Sequence, residues 1–292
     1  MGLQLPKRAA GNLRRVALLG ILGVSLSVLS GCSSETQGEW QRFAMPDPAS
    51  EQGEHILSLW QGAWIAALIT GAVVWGLILY AVIAFRRRDD AEIPIQTRYN
   101  LPLEIFYTIA PIIMVIVFFA HTVKVQNAVL ADTENPDHTI EVVGQQWSWT
   151  FNYTGEDAVN GQNVYTSGTA SNIPTLVLPV DETTRFNLHS PDVIHNFGVP
   201  AFLMRMDVIP GRVNHYDITP KTVGVYKGKC YELCGVYHQR MLFNVRVVSS
   251  ADYESYLQEL EAAGRVSEEP LLGGADANTQ SGLGSGDEGG SE

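Results

Sequence analysis

Thirty consecutive residues, Ile56–Phe85, carry no charged side chain. A helix needs about 20 apolar residues to cross the hydrocarbon core of a bilayer. Within lipid, a lone segment satisfies its own backbone hydrogen bonds only as a helix. This run therefore commits the chain to a membrane-spanning helix. Trp60 and Trp64 stand near its start, where amphipathic rings favour the interface, and Arg86-Arg87-Arg88 follow at once on what is then the cytoplasmic side. A second apolar run, Leu103–Val123, lies beyond a short loop ending at Pro102. Residues 56–85 and 103–124 thus read as a two-helix hairpin with a cytoplasmic loop over 86–102. The chain after Lys124 is expected on the extracytoplasmic face. Pro111 cannot donate an i→i−4 bond and is expected to kink the second helix.

The first 31 residues read as an address. Lys7, Arg8, Arg14 and Arg15 precede or enter an apolar stretch, Val16–Leu29, of fourteen residues. That is the length of a signal-peptide core and too short to span a bilayer. The stretch ends in Leu29-Ser30-Gly31-Cys32, which resembles a bacterial lipoprotein cleavage box. The resemblance implies that Cys32 becomes the lipidated first residue; the alternative is an ordinary signal peptide with an incidental cysteine. Residues 32–55 are then a polar extracytoplasmic segment. Removing residues 1–31 takes away four basic residues and no acid, moving the net charge from −12 to −16. Such a chain excludes nucleic acid as a partner and favours a basic one.

From His138 the pattern turns to alternation. The segments H-T-I-E-V-V-G-Q-Q-W-S-W-T-F-N-Y, T-L-V-L-P-V, T-R-F-N-L-H and M-L-F-N-V-R-V-V read as strands between Gly, Pro, Asn and Asp turns. Residues 125–250 are therefore expected to form one all-β domain, a sandwich or barrel. Residues 251–265 hold a short amphipathic helix capped by Ser249 or Ser250. Residues 266–292 contain no aromatic and no basic residue and are expected to be a disordered acidic tail.

Within the β domain, Cys230–Met241 reads C-Y-E-L-C-G-V-Y-H-Q-R-M, and His195 lies 35 residues before Cys230. Thiolate and thioether are soft ligands and imidazole suits copper, so the mixture points to copper first. Two Cys, two His and one Met exceed the needs of one tetrahedral ion, and two coppers bridged by the sulfurs use them all. A structural zinc site is the first alternative, although its usual paired spacings do not match this single run. A disulfide between Cys230 and Cys234 suits an exported segment. A helical stripe of core residues is the third alternative, weakened by Gly228 and Gly235.

The run C-x-E-x-C-G-x-x-H-x-x-M, with D-V-I-H upstream and with H-N-F-G-V-P, D-V-I-P-G-R and G-Q-Q-W-S-W, resembles cytochrome c oxidase subunit II. The resemblance covers most of residues 55–260 and implies a cupredoxin-like Greek-key barrel after the hairpin. It implies a dinuclear copper centre held by His195, Cys230, the carbonyl of Glu232, Cys234, His238 and Met241, with both thiolates bridging. It also implies magnesium or manganese on the Glu232 carboxylate, shared with the catalytic subunit, and haem only in that partner. Trp147, the first Trp of G-Q-Q-W-S-W, would admit electrons. Of Trp147 and Trp149, ordinary packing would bury one and lay the other over a surface edge. Asp192 matches a position near the docking face, and Glu104 matches the glutamate at the mouth of a proton pathway.

Function follows from that resemblance. It implies the electron-accepting subunit of a proton-pumping bacterial haem–copper oxidase. Its partners are the catalytic subunit I, other oxidase subunits, and a c-type cytochrome or the cytochrome c domain of a bc complex. The absence of C-x-x-C-H from the sequence excludes a fused haem c domain. Two other classes are consistent with parts of the chain: an exported copper-delivery protein, and a membrane lipoprotein stabilised by zinc.

Overall fold

The computed structural model describes residues 34–89, 93, 95–169 and 171–274. The signal segment, Cys32 and the tail beyond residue 274 lie outside the described residues. The chain divides into two compact units, Met1–Asp47 and Pro48–Glu292. In the first, helix α1 spans Ser34–Gln41.

The second unit opens with helix α2, Glu51–Ala84, whose N-cap Ser50 accepts a hydrogen bond from Gly53 N at 3.1 Å. Glu51 and Glu54 occupy the first turn, where carboxylates suit the positive end of the helix dipole. Helix α3 spans Leu101–Val129. Its cap is reciprocal: Asn100 Oδ1 accepts from Leu103 N at 3.3 Å, and Glu104 Oε1 accepts from Asn100 N at 2.9 Å. Pro111 lies inside this continuous helix. The two helices flank a groove lined by Ala63, Ala67, Thr70 and Gly71 of α2 and by Met114 and Phe118 of α3. Most of their other large apolar side chains are exposed, as a lipid environment demands. α3 outlasts its apolar run because its last turns pack on the β domain, with Val129 buried and Val125 against the core.

That domain is a sandwich of two sheets. Strands β1 (His138–Gln145), β2 (Ser148–Thr154), β3 (Asn163–Ser167), β5 (Thr184–His189), β8 (Asn214–Ile218) and β11 (Val266–Ser267) make one sheet, ordered β11-β3-β2-β1-β5-β8. Strands β4 (Thr175–Pro179), β6 (His195–Val199), β7 (Met204–Val208), β9 (Gly224–Cys230) and β10 (Leu242–Val248) make the other, ordered β4-β10-β9-β6-β7. β1 pairs with β5 and β4 with β10 in parallel; the other pairings are antiparallel. Crossovers of this kind produce the Greek-key layout expected of a cupredoxin-like domain. Trp149, Phe151, Phe186, Phe197 and Phe243 are fully buried between the sheets.

Two sequence expectations change. The long segment from His138 to Tyr153 is not one strand but a hairpin, folded at Gln146-Trp147. The turn holds no Gly, Pro, Asn or Asp, so periodicity alone passed through it. The expectation of disorder from residue 266 is corrected over residues 266–274. Val266–Ser267 pairs with β3, and Asn163 Nδ2 donates to Glu268 O at 3.0 Å. Leu271 N donates to Asn152 Oδ1 at 2.8 Å, while Asn152 Nδ2 donates back to Leu271 O at 3.2 Å. Low hydrophobicity does not prevent order here because an existing sheet supplies the partners: the backbone of β3 and the side-chain amides of Asn152 and Asn163.

Helix α4, Ser250–Ala262, is capped by Ser249 and docked by a polar clamp. His138 contacts Glu156 through Nδ1 at 3.0 Å and Glu182 through Nε2 at 2.7 Å. Tyr253 donates to Glu156 at 2.9 Å, and the Ser250 hydroxyl donates to Glu182. Burial alone would lower the His138 pKa, but the hydrogen bonds and charges of the two carboxylates raise it above 6.5. The stability so gained is complete below the unfolded-chain value and is lost as pH rises through the higher folded value. Thermal unfolding of the full chain in detergent should therefore show His138→Gln less stable than wild type at mildly acidic pH, with the gap narrowing as pH rises. A gap that does not change with pH would assign the loss to packing instead.

Candidate metal centre

One end of the sandwich collects the sulfur and imidazole donors. β9 ends at Cys230 and its antiparallel neighbour β10 begins at Leu242, so the intervening loop closes between adjacent strands. Cys230 N donates to Met241 O at 3.0 Å across the base of the loop. β6 begins at His195 and pairs with β9 through Phe197 and Cys230. The loop is irregular apart from one 3-10 turn, His238–Arg240, which removes the helical-stripe alternative.

Cys230 and Cys234 are free thiols, buried, with their sulfurs 3.9 Å apart. Cys230 Sγ lies 3.9 Å from His195 Nδ1 and 3.2 Å from the Glu232 carbonyl. Cys234 Sγ lies 3.6 Å from His238 Nδ1 and 3.7 Å from Met241 Sδ. The ligating atoms of His195, Cys230 and Cys234 all fall within 4.8 Å of one another. The fold thus converges two thiols, two imidazoles, one thioether and one carbonyl. All but the carbonyl are soft or borderline donors, so the set fits copper better than a hard ion.

Electrostatics separates the two thiols. Burial pushes the Cys230 thiol up, but contact with His195 and hydrogen bonding to backbone of Asn196 and Glu232 bring it below its ordinary value. Burial, with the charge of Cys230 beside it, holds Cys234 up to about 12. A cation between the sulfurs would reverse the second effect, since it stabilises both thiolates.

The surrounding residues hold this set in place. Asp192 Oδ1 lies 2.8 Å from His195 Nε2, which turns Nδ1 toward Cys230. The resemblance assigns Asp192 to a docking face; its carboxylate is taken up by His195 and by the backbone N–H groups of Gln146 and Val193 at 2.7 and 2.6 Å. Burial raises the Asp192 pKa, but these donors outweigh it and keep the group below its ordinary value. Trp149 donates to Met241 O at 3.3 Å and packs edge-on to His195. Gly144 is required beside them, because a Cβ there would lie 3.0 Å from the Trp149 ring and 3.3 Å from the His195 ring.

Trp147 reaches the same loop from the β1–β2 hairpin tip. Its Nε1 donates to Cys234 O at 3.1 Å, and Gln146 Nε2 donates to the same oxygen at 2.6 Å. The indole is half-buried, whereas Trp149 is core. Glu104 is not part of this cluster; it caps α3. The Glu232 side chain is exposed. Sequence reasoning missed Gln146 altogether and the orienting contact of Asp192, although a carboxylate three residues before a ligand histidine is a readable signal for it.

A two-helix membrane anchor bearing a β-sandwich with a soft-donor cluster at one end defines a membrane-bound redox metalloprotein. Residues 38–125 match the family described as "Cytochrome C oxidase subunit II, transmembrane domain", and residues 138–248 match "Cytochrome C oxidase subunit II, periplasmic domain". A probable cytochrome c oxidase subunit 2 of Streptomyces coelicolor is 44% identical over 276 residues, covering 83% of this chain and 86% of that protein. Cytochrome c oxidase subunit 2 of Mycobacterium tuberculosis (strain ATCC 25618 / H37Rv) is 34% identical over 312 residues, covering 87% and 85%. The periplasmic domain of subunit II of cytochrome oxidase from Bradyrhizobium japonicum, a crystal structure, is 29% identical with a TM-score of 0.40, covering 45% of this chain and 99% of that one. The chain belongs to the cytochrome c oxidase subunit II family. It is a membrane protein with a copper centre and the electron-accepting role in cytochrome c oxidase, an oxidoreductase.

Residues that orient a metal-bound histidine typically cost about 10–100-fold in metal affinity when removed. Asp192→Ala should weaken copper binding by that order in a competitive chelator titration of the full chain. Unchanged affinity would show that the β6 backbone alone sets the His195 ring.

Proposed function

We propose that this chain admits electrons from a c-type cytochrome at a dinuclear copper site and hands them to haem in the catalytic subunit. The observation that carries this reading is the convergence of two imidazoles, one thioether and one backbone carbonyl on two thiol sulfurs 3.9 Å apart. Cys230 and Cys234, as thiolates, would hold the copper pair together with His195, His238, Met241 and the carbonyl of Glu232. When bound, the copper pair supplies a one-electron centre whose charge change is shared by two metals. Both ends of the ligand loop are held by paired strands, which limits movement of the donors between oxidation states.

Trp147 admits the electrons. Its half-exposed indole and its hydrogen bond to Cys234 O support a short route from the surface to a bridging ligand. The donor is a c-type cytochrome or the cytochrome c domain of a bc complex; the remaining partners are the catalytic subunit I and the other oxidase subunits. Reduction of one oxygen molecule to two waters there takes four electrons and four protons. Glu104 serves at the cytoplasmic mouth of a proton pathway, a role supported by its place in the first turn of α3, on the loop side of the helix that follows the basic run Arg86-Arg87-Arg88. That basic run also supports an extracytoplasmic β domain. The exposed Glu232 carboxylate is free to hold magnesium or manganese against the catalytic subunit, since hard oxygen donors suit those ions.

Metal analysis of the purified oxidase tests the ligand assignments together. Wild type should carry two coppers on this subunit, and Cys230→Ser or Cys234→Ser should abolish the mixed-valence electron-spin signal. Glu232→Ala should keep both coppers and lose the hard ion. Stoichiometric zinc without copper would sink the reading, and copper lost with the hard ion retained would defeat the two roles of Glu232.

Rapid-mixing kinetics separates the electron and proton roles. Trp147→Phe should slow reduction by cytochrome c with the copper spectrum unchanged. Glu104→Gln should leave that reduction at its normal rate while oxygen turnover falls. Normal reduction in the first variant, or full turnover in the second, would remove the corresponding residue from the mechanism.

A further inference from the structure

The indole of Trp147 stands on a two-residue turn, and a turn by itself does not fix a side-chain rotamer. Its surroundings therefore decide whether Nε1 stays on Cys234 O. Below the ring lies Gly235, with φ of +125°, where a Cβ would come within 2.9 Å of Nε1 and 3.0 Å of Cζ2. That approach leaves room for the indole but gives it no lateral support. Besides its packing at the margin of the core, the ring is supported by Tyr237, which meets Trp147 edge to face, with centroids 5.2 Å apart and planes at 89°. Tyr237 is held in turn. Its carbonyl accepts from Arg240 N at 2.8 Å in the 3-10 turn, and the Arg240 guanidinium lies 5.9 Å from the ring centroid.

We propose that Tyr237 is a positioning residue for electron admission: its ring keeps the Trp147 indole on the Cys234 carbonyl, at the surface the cytochrome meets. This rests on the reading of Trp147 given above. Tyr237 is 43% exposed, so it also forms part of that surface. The ring, not the hydroxyl, makes the contact. The ligand loop thus carries, between Cys234 and His238, a side chain that reaches away from the metal donors and toward the residue that feeds them.

An edge-to-face ring pair shifts a conformational equilibrium by about 2- to 10-fold. The full chain, labelled with ¹⁵N at its six indoles, gives a readout independent of copper. Trp147→Phe identifies the Trp147 resonance. Tyr237→Ala should speed solvent exchange of that indole N–H by about 2- to 10-fold. In the assembled oxidase the same variant should slow reduction by cytochrome c, with copper content and spectrum unchanged. Tyr237→Phe should restore both quantities. Tyr237→Ala with unchanged exchange and unchanged reduction, in an oxidase that Trp147→Phe does slow, would overturn the proposal alone. Tyr237→Phe as damaging as Tyr237→Ala would overturn it by assigning the effect to the hydroxyl. Trp147→Phe with normal reduction would overturn the reading of Trp147, and this role with it.

Discussion

The metal end of the domain hangs on the stacked contact between Phe197 and Phe243, with ring centroids 4.7 Å apart and planes within 10°. Side chains two residues apart on a strand share a face. Phe197 is therefore one pleat below His195 on β6, and Phe243 one pleat below Met241 next to β10. Gly228 stands one pleat below Cys230 on β9, where a Cβ would come within 2.1 Å of the Phe243 ring. One aromatic stack thus sets the spacing of three ligand-bearing strand ends. Trp149 covers the stack, 5.3 Å from Phe197 and 5.5 Å from Phe243, and its N–H holds the Met241 carbonyl. The layer that packs the core is the layer that fixes the donors.

The rest of the site follows from hairpins closing over that layer. The β9–β10 connection carries five of the six donors, and only His195 arrives from elsewhere. The β1–β2 connection brings Gln146 and Trp147 to the Cys234 carbonyl, where two N–H donors share one acceptor. Cys234 is thereby held on its backbone by the β1–β2 hairpin, and on its side chain by Cys230, His238 and Met241. Movement of either hairpin would be felt by the other, so a compact core beneath them is a functional requirement.

The clustered donors were legible in the sequence because metal chemistry restricts residue type: only a few side chains are soft or borderline ligands, and here all but His195 fall within twelve positions. The membrane hairpin was legible for the same reason, since lipid tolerates little besides a long apolar helix. What escaped depends on contacts that no residue type announces. The turn at Gln146-Trp147 lacks turn residues, yet it decides that Trp147 faces the ligand loop and Trp149 the core. The ordered stretch through Leu271 is composed like a linker, and its order comes from Asn152 on a distant strand. Asp192 was visible as a carboxylate near a histidine, but its direction was set by backbone N–H groups that sequence does not display.

The link between anchor and sandwich is equally a matter of backbone. Ala49 N donates to Ala201 O at 2.7 Å, Glu51 N to Thr219 O at 3.0 Å and Lys221 N to Ala49 O at 2.8 Å. Ser50, fully buried, caps α2 and also donates its hydroxyl to Phe202 O at 3.2 Å. The first turn of the membrane helix is thus stitched to the connection after β6, the strand that begins at His195. Only the four residues of β6 after His195, and Pro200, separate that stitch at Ala201 from the histidine. A flexible tether would let the metal end wander relative to the membrane; this attachment lets the position of α2 set the position of His195. Electron transfer falls steeply with distance, so an anchor joined to a ligand-bearing strand does more than retain the domain at the membrane: it sets how far the donors stand from the bilayer.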